Sequence, residues 1–164
     1  MKKSTTFIAS AVTAVALFFS TNVNAQNNLG IGLNVGVPTS DAYNFAIGAD
    51  ARMQFNVSKQ VSIPVTTGYT HFTGKDNVSD FGFIPLKGGA KFFFDQSGSG
   101  LYGLGEVGAA FGVTKNSGTS FLYSPAVGYS WSNGLDLGVK YEGLAKSGAN
   151  TGQVALRLAY GFKL

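Results

Sequence analysis

The stretch VALRLAYGFKL, residues 154–164, alternates strictly between bulky apolar residues and small or charged ones. Residues two apart in a β-strand lie on the same face of the sheet, so this period of two predicts a strand with two unlike faces. One face carries Leu156, Leu158, Tyr160, Phe162 and Leu164, and the other carries Arg157, Ala159, Gly161 and Lys163. Such a strand is typical of a sheet with one side against an apolar medium and the other against a crowded polar space.

The same alternation recurs along the chain and predicts seven earlier strands. We expect them at about residues 28–37, 43–55, 61–72, 82–94, 101–113, 121–132 and 135–145. Asn133-Gly134 predicts a tight two-residue hairpin turn. The connections 56–59 and 95–100 are short and polar. The other four, 38–42, 73–80, 114–120 and 146–152, are on the whole longer but still too short for a crossover helix, which predicts an antiparallel up-and-down sheet.

Residues 1–25 have the pattern of a cleaved secretory signal peptide. Lys2 and Lys3 precede an apolar run from residue 7 to 19, and small residues lead to Ala25, so cleavage is expected between Ala25 and Gln26. The apolar run is too short for a permanent transmembrane helix. The chain has no cysteine, which excludes disulfides and a lipid-modified N-terminal cysteine. We expect residues 26–164 to form a single domain.

The composition is unusual for a soluble protein. Charged residues are 12% of the chain, whereas soluble surfaces usually carry about 25–35%. Without Lys2 and Lys3, ten basic and eight acidic residues leave a net charge of +2, which gives no reason to expect a nucleic-acid partner. No later apolar run is long enough for a spanning helix, so a membrane protein of this sequence must close its strands into a barrel.

Volume indicates which face of the barrel points outward. An eight-stranded barrel has an interior just wide enough for side chains, so the bulky apolar face belongs outside. The other face then lines the lumen, where its charges of both signs can pair. We predict a lumen charge network of Asp50, Arg52, Lys87, Lys91, Glu106, Asp136, Lys140, Glu142 and Arg157. The alternative is a soluble periplasmic lipid-binding barrel with its apolar face inside.

Aromatic residues cluster near both predicted strand ends, as in the interfacial girdles of membrane barrels. The set expected near the periplasmic ends is Phe55, Phe92, Phe94, Trp131, Tyr160 and Phe162. The set expected near the outer ends is Phe45, Tyr69, Phe111, Phe121 and Tyr123.

This eight-strand pattern, the strand IPLKGGAKFFF at 84–94 and the aromatic last strand resemble the small OmpX/OmpA-type outer-membrane β-barrels over residues 28–164. The resemblance implies an all-β fold, an eight-stranded antiparallel up-and-down transmembrane β-barrel, in the outer membrane of a Gram-negative bacterium. It implies contact with outer-membrane lipids and lipopolysaccharide. It also implies escort by periplasmic chaperones and insertion by the barrel-assembly machinery, with Tyr160, Phe162 and Leu164 as the assembly signal. We expect a monomer.

Three features could carry chemistry. The segment GLGEVG at 103–108 matches a dinucleotide-binding pattern but lies within a predicted strand with no helix after it. Glu106 and Glu142 could form an acid–base pair, although lumen ion pairs explain them better. His71, with Thr73, Asp76 and Ser79 nearby, could serve a lipid A-modifying enzyme. An interfacial histidine is the commoner case, and we predict no catalytic residue, no metal site and no cofactor.

The sequence therefore predicts an integral outer-membrane protein with a structural, envelope or surface-interaction role and no enzymatic activity. The alternatives are the soluble lipid-binding barrel, a narrow pore and, last, the lipid A-modifying enzyme.

Overall fold

A computed structural model describes residues 27–114 and 117–164 as one closed barrel of eight antiparallel strands. Each strand pairs with its sequence neighbours, and β1 pairs with β8 to close the barrel. No helix in this part of the chain is long and apolar enough to cross a membrane. The strands are β1 (Asn28–Pro38), β2 (Tyr43–Asn56), β3 (Val61–Gly74), β4 (Phe81–Phe93), β5 (Gly100–Gly112), β6 (Thr119–Ser130), β7 (Leu135–Lys146) and β8 (Ala149–Lys163).

Because the number of strands is even, both ends of the described chain lie at the same end of the barrel. The terminal end holds residues 27 and 164 and the connections 57–60, 94–99 and 131–134. The loop end holds the connections 39–42, 75–80, 113–118 and 147–148. The prediction that the loop-end connections are longer is wrong, because the two sets span similar lengths.

The largest difference from the prediction lies at the start of β8, which begins at Ala149 rather than near residue 154. Gly148 has a φ of 83°, a left-handed conformation that glycine adopts without steric strain, and it allows a two-residue turn. Beyond this turn, Asn150 pairs with Ala145 and Gly152 with Gly143. Residues 149–153 are small or polar, so they carry no apolar alternation from which a strand could be predicted.

The two faces of the barrel lie as predicted. Outward residues such as Leu33 and Val37 are 63% and 69% exposed, whereas inward Arg157 is 4% exposed. The apolar face is therefore the outer surface, and the soluble lipid-binding arrangement, with that face inside, is wrong. The segment 103–108 lies within β5, which confirms its interpretation as strand glycines.

An apolar cluster that the sequence did not reveal fills the lumen at the loop end. A register shift between Tyr43 and Phe45 marks a β-bulge, which turns Tyr43 inward, with its ring centroid 5.4 Å from that of Phe72. The loop-end cluster consists of Ala46, Phe72, Phe83, Ala110, Leu122 and Leu144, with Tyr43 and Phe81 packed against it.

The close approach of the β4 and β5 backbones explains why residue 89 is a glycine. An added Cβ at Gly89 in β4 would overlap the carbonyl oxygen of Gly105 on β5. Glycine removes this conflict and lets the sheet bend sharply enough to close.

Candidate functional site

The lumen charge network lies where the sequence placed it, with all nine side chains buried. The side chains come from five strands, and the register brings them together inside the barrel. Five cations face four carboxylates, so the network is close to neutral.

One part of the network connects β8 to β2 across β1. Arg157 donates to Asp50 from Nε at 3.0 and 3.1 Å and from Nη2 at 2.5 Å. Asn34 on the intervening strand donates from Nδ2 to Asp50 Oδ2 at 2.7 Å. A two-nitrogen contact of this kind fixes the relative position of both side chains. These bonds therefore connect β2 and β8, the two strands that flank β1, through the interior of the barrel.

A second part centres on two glutamates. Glu142 accepts from Lys87 at 2.6 Å, from Lys140 at 3.2 Å and from Gln153 at 3.1 Å. Glu106 lies 3.2 Å from Arg52 Nη2 and 3.5 Å from Lys87 Nζ. Because Lys87 bridges both glutamates and cations surround them, ion pairing accounts for the two carboxylates better than an acid–base role.

A third part lies nearer the terminal end and includes an aromatic residue that sequence reasoning missed. Lys91 donates to Asp136 at 2.9 Å, and its Nζ lies 3.8 Å from the centre of the Tyr102 ring. The Tyr102 hydroxyl donates to the same carboxylate at 2.8 Å. Side chains alternate between the two faces of a strand, so the three consecutive phenylalanines at 92–94 cannot all face outward. Phe93 is the one that faces inward, beside Tyr102. This cation–π contact supports Lys91 in a space with little water.

The geometry of the charge network is better suited to fixing the relative positions of the strands than to catalysing a reaction. A buried ion pair contributes little net stability compared with an apolar pair, but loss of one partner leaves an unpaired buried charge. The network thus selects one strand register and fills the lumen. In the described ranges there is no group of three or more His, Cys, Asp or Glu side chains able to hold a metal ion.

The predicted assembly residues lie at the terminal end. Tyr160, Phe162 and Leu164 are 47%, 48% and 65% exposed. The Leu164 amide donates to the Asn27 carbonyl at 2.8 Å, which ties the last residue to the beginning of the barrel. Their role in recognition by the assembly machinery stays a prediction. The cleavage site at Ala25 and Gln26 lies outside the described residues.

His71 lies on the outer surface at the loop end, but its partners differ from those suggested by sequence proximity. Its Nε2 is 3.1 Å from Asp80 Oδ2, and its Nδ1 is 3.2 Å from the Tyr69 hydroxyl. The expected neighbours Thr73, Asp76 and Ser79 are not among these partners. Asp80 Oδ1 also accepts from the Gly74 amide at 2.8 Å, so the carboxylate ties the 75–80 connection to β3.

We expect this connection to loosen in acid. The hydrogen bond from the Gly74 amide, followed by that from His71, holds the pKa of Asp80 below its usual range. A carboxylate with a lowered pKa contributes its stabilisation above the unfolded-state pKa and loses it as the pH falls through the folded-state pKa, here below about pH 4. The protection factor of the Gly74 amide, measured by NMR hydrogen exchange and corrected for the intrinsic exchange rate at each pH, should fall in that range. In Asp80→Ala the protection factor should be low at every pH, and equal protection in the two proteins would contradict the assignment.

Comparisons with known proteins agree on the fold. No protein-family model matches the chain, and no curated protein matches it. Ail from Yersinia pestis, solved with the heparin analogue sucrose octasulfate, has a TM-score of 0.61 at 16% identity over 85% of this chain and 100% of that one. The N-terminal barrel domain of Pseudomonas aeruginosa OprF has a TM-score of 0.59 at 16% identity, with coverages of 85% and 100%.

A third similar structure has no natural role. A de novo designed transmembrane β-barrel has a TM-score of 0.55 at 21% identity and covers 82% of this chain and 95% of that chain. The strand topology, the outward apolar face and the charged lumen define a transmembrane β-barrel. The chain has the fold of the small eight-stranded outer-membrane barrels of the OmpA/OmpX type. Because a designed protein shares this fold, the fold alone does not specify a function.

Proposed function

We propose that this protein is an integral barrel of the outer membrane with a structural or interaction role rather than a catalytic one. The observation that carries the proposal is the outward apolar surface, which runs around the barrel on every strand while the charges lie inside. Water would disfavour such a surface, and lipid would favour it. Exposed aromatic residues near both ends, among them Phe45, Tyr129 and Trp131, suit the two membrane interfaces.

The partners follow from this location. The outer surface would contact outer-membrane lipids and, at the loop end, lipopolysaccharide. Delivery by periplasmic chaperones and insertion by the barrel-assembly machinery would place the terminal end in the periplasm, with the loop end outside. Closed hydrogen bonding between β1 and β8 leaves no free strand edge, which supports a monomer.

Charge at the loop end bears on the kind of surface interaction. Ail was solved with a heparin analogue, a polyanion. The described loop-end connections here carry Asp41, Asp76 and Asp80 against Lys75, and Lys146 adds one cation at the end of β7. This near-balance does not favour a polyanion, so we propose an envelope role or an interaction that does not depend on a basic surface.

The first experiment separates membranes from soluble periplasm and compares boiled with unboiled protein on a denaturing gel. We expect recovery in the outer-membrane fraction and a shift in migration on boiling, because a closed barrel resists detergent until it is heated. Recovery in the soluble periplasm without a shift would contradict the proposal.

The lumen argues against the narrow-pore alternative. The loop-end cluster is apolar and buried, and the ion-paired network lies directly beneath it. We therefore expect no stable single-channel conductance in planar bilayers above that of the empty bilayer. Reproducible conductance steps would mean that the network opens in the membrane.

The non-catalytic part of the proposal has its own test. Lipid A isolated from cells expressing the wild type and His71→Ala should have the same composition. A modification that is lost in His71→Ala, while Thr73→Ala retains it, would assign an enzymatic role to the His71 site.

A further inference from the structure

Three prolines lie inside strands of the barrel, where this residue is unusual. A proline has no backbone N–H and removes one hydrogen bond from the ladder that it faces, so prolines are mostly found at sheet edges. A closed barrel has no edge, yet Pro64, Pro85 and Pro125 lie within β3, β4 and β6. Each missing donor is therefore expected to interrupt the pairing of two neighbouring strands.

Two of these interruptions fall on one seam, the contact line between β3 and β4. The residues of β3 that have partners on β4 form three separate groups, 61–62, 65–67 and 70–72. The register is the same in all three groups, and it places Pro64 opposite Gly89 and Gly68 opposite Pro85. Both breaks therefore combine a proline on one strand with a glycine on the other.

The pairing on the far side of each proline shows which way the missing donor points. Pro64 keeps its partner Gln54 on β2, and Pro85 keeps its partner Ala110 on β5. The N–H groups of neighbouring residues in a strand point to opposite sides, so both lost donors belong to the β3–β4 seam.

The other seams of the described barrel are more continuous. The β6–β7 seam has one break, at Pro125, between Tyr123 and Ala126. The last strand, β8, pairs without a break with β1 over 153–163 and with β7 over 149–160. The β3–β4 seam is thus the one whose centre is held by a short group of pairs, 65–67, between two breaks.

Part of the charge network lies directly behind this short group. Thr66 pairs with Lys87 across the seam, and both side chains are buried in the lumen. The Thr66 hydroxyl donates to Glu106 Oε1 at 2.6 Å, and Lys87 Nζ lies 3.5 Å from Glu106 Oε2. Separation of the 65–67 group would therefore uncover Glu106 from the side of the barrel.

We propose that the β3–β4 seam is a lateral gate, which opens reversibly while the other seams stay closed and connects the outer face of the barrel with Glu106. Local opening occurs where the fewest interactions must break together. At this seam the breaks at Pro64 and Pro85 separate the central pairs from the rest of the ladder. Contacts with Glu106 then hold the gate shut from inside.

Hydrogen exchange of the folded barrel in detergent, measured by NMR and corrected for the intrinsic rates, tests the gate. We expect the amides of Thr66 and Lys87 to have protection factors at least about tenfold lower than those of residues 155–157. Residues 155–157 lie near the middle of β8, as Thr66 and Lys87 do in their strands, so the comparison is made at matched positions. Equal protection at the two places would overturn the proposal.

A disulfide across the seam should close the gate. The chain has no cysteine, and Thr67 lies directly opposite Leu86, at the Cα separation of about 4.5–5.5 Å that a disulfide can span. In the double variant Thr67→Cys, Leu86→Cys, oxidation should raise the protection of Thr66 and Lys87 at least about tenfold over the reduced form of the same protein.

The matched control joins β1 to β8. Leu33 lies opposite Leu158, and both are exposed on the outer face. Oxidation of Leu33→Cys, Leu158→Cys should leave the protection of Thr66 and Lys87 unchanged. An equal rise with both disulfides would mean that these amides exchange through opening of the whole barrel, and it would overturn the gate.

A pair of proline variants covers a failure of the cysteine variants to fold. Pro85→Val restores the donor opposite Gly68 and should raise the protection of Thr66 and Lys87. Pro125→Val makes the same change on the β6–β7 seam and should leave them as in the wild type. No rise with Pro85→Val, or an equal rise with both variants, would contradict the gate.

Discussion

Replacing Arg157 by alanine is expected to lower the free energy of unfolding of the barrel by about 3–5 kcal/mol. The substitution leaves Asp50 buried without its two-nitrogen partner, and it removes the 3.5 Å contact with Asp136. Urea unfolding in detergent, followed by the fluorescence of the single tryptophan, Trp131, measures the effect.

A matched pair of controls separates the unpaired charge from the loss of bulk. Lys59→Ala removes an exposed cation in the 57–60 connection and should change stability by less than about 0.5 kcal/mol. Adding Asp50→Asn to Arg157→Ala should restore part of the loss, because the neutral amide is cheaper to bury than a lone carboxylate. A loss below about 1 kcal/mol for Arg157→Ala would mean that water enters the lumen and solvates Asp50.

Replacing Gly89 by alanine should be the second severe change, with a loss of about 3 kcal/mol or more. The new methyl group would overlap the Gly105 carbonyl oxygen on the neighbouring strand, a backbone atom that cannot rotate away. Relief requires β4 and β5 to separate locally at this position. The heat-dependent gel shift should occur at a lower temperature, and urea unfolding gives the magnitude.

The neighbouring strand provides the control. Gly105 pairs with Ala90, one position from Gly89, and a Cβ there meets nothing within 4 Å. Gly105→Ala adds the same methyl group and the same loss of backbone freedom, so it should be neutral within about 0.5 kcal/mol. If the two variants lose equal stability, the cause is glycine flexibility rather than the close approach.

The strands, their faces and the charge network were predictable because one constraint governs all three. The outer face of the barrel contacts lipid rather than water, so every second residue of β1 and β7, the one that points outward, is apolar or small. Arg157 and Lys140 then have only the lumen to occupy. The period of two is therefore enough to predict these three features, even when the pairing of the strands and of the charges is unknown.

Other features depend on contacts between distant segments, and no local pattern reveals them. The pairing of Arg157 with Asp50 requires the register of β1 with both neighbours. The inward aromatics Phe72 and Tyr102 escape notice because apolar residues on the lumen side resemble those on the lipid side. The β-bulge between Tyr43 and Phe45 contains Asn44, but a single asparagine directly after the 39–42 connection does not distinguish a bulge from the end of the turn.

The sequence distance spanned by the Arg157–Asp50 contact has a consequence for how the protein is made. The two residues are 107 positions apart, so the contact forms only after the last strand has joined the first, and contacts of such long range slow folding. Before closure, we expect the nine charged side chains to be hydrated and to disfavour aggregation of the unfolded chain in water. Closure would then remove that water and supply the ion-pair partners, so we expect the same side chains to make folding of the barrel cooperative.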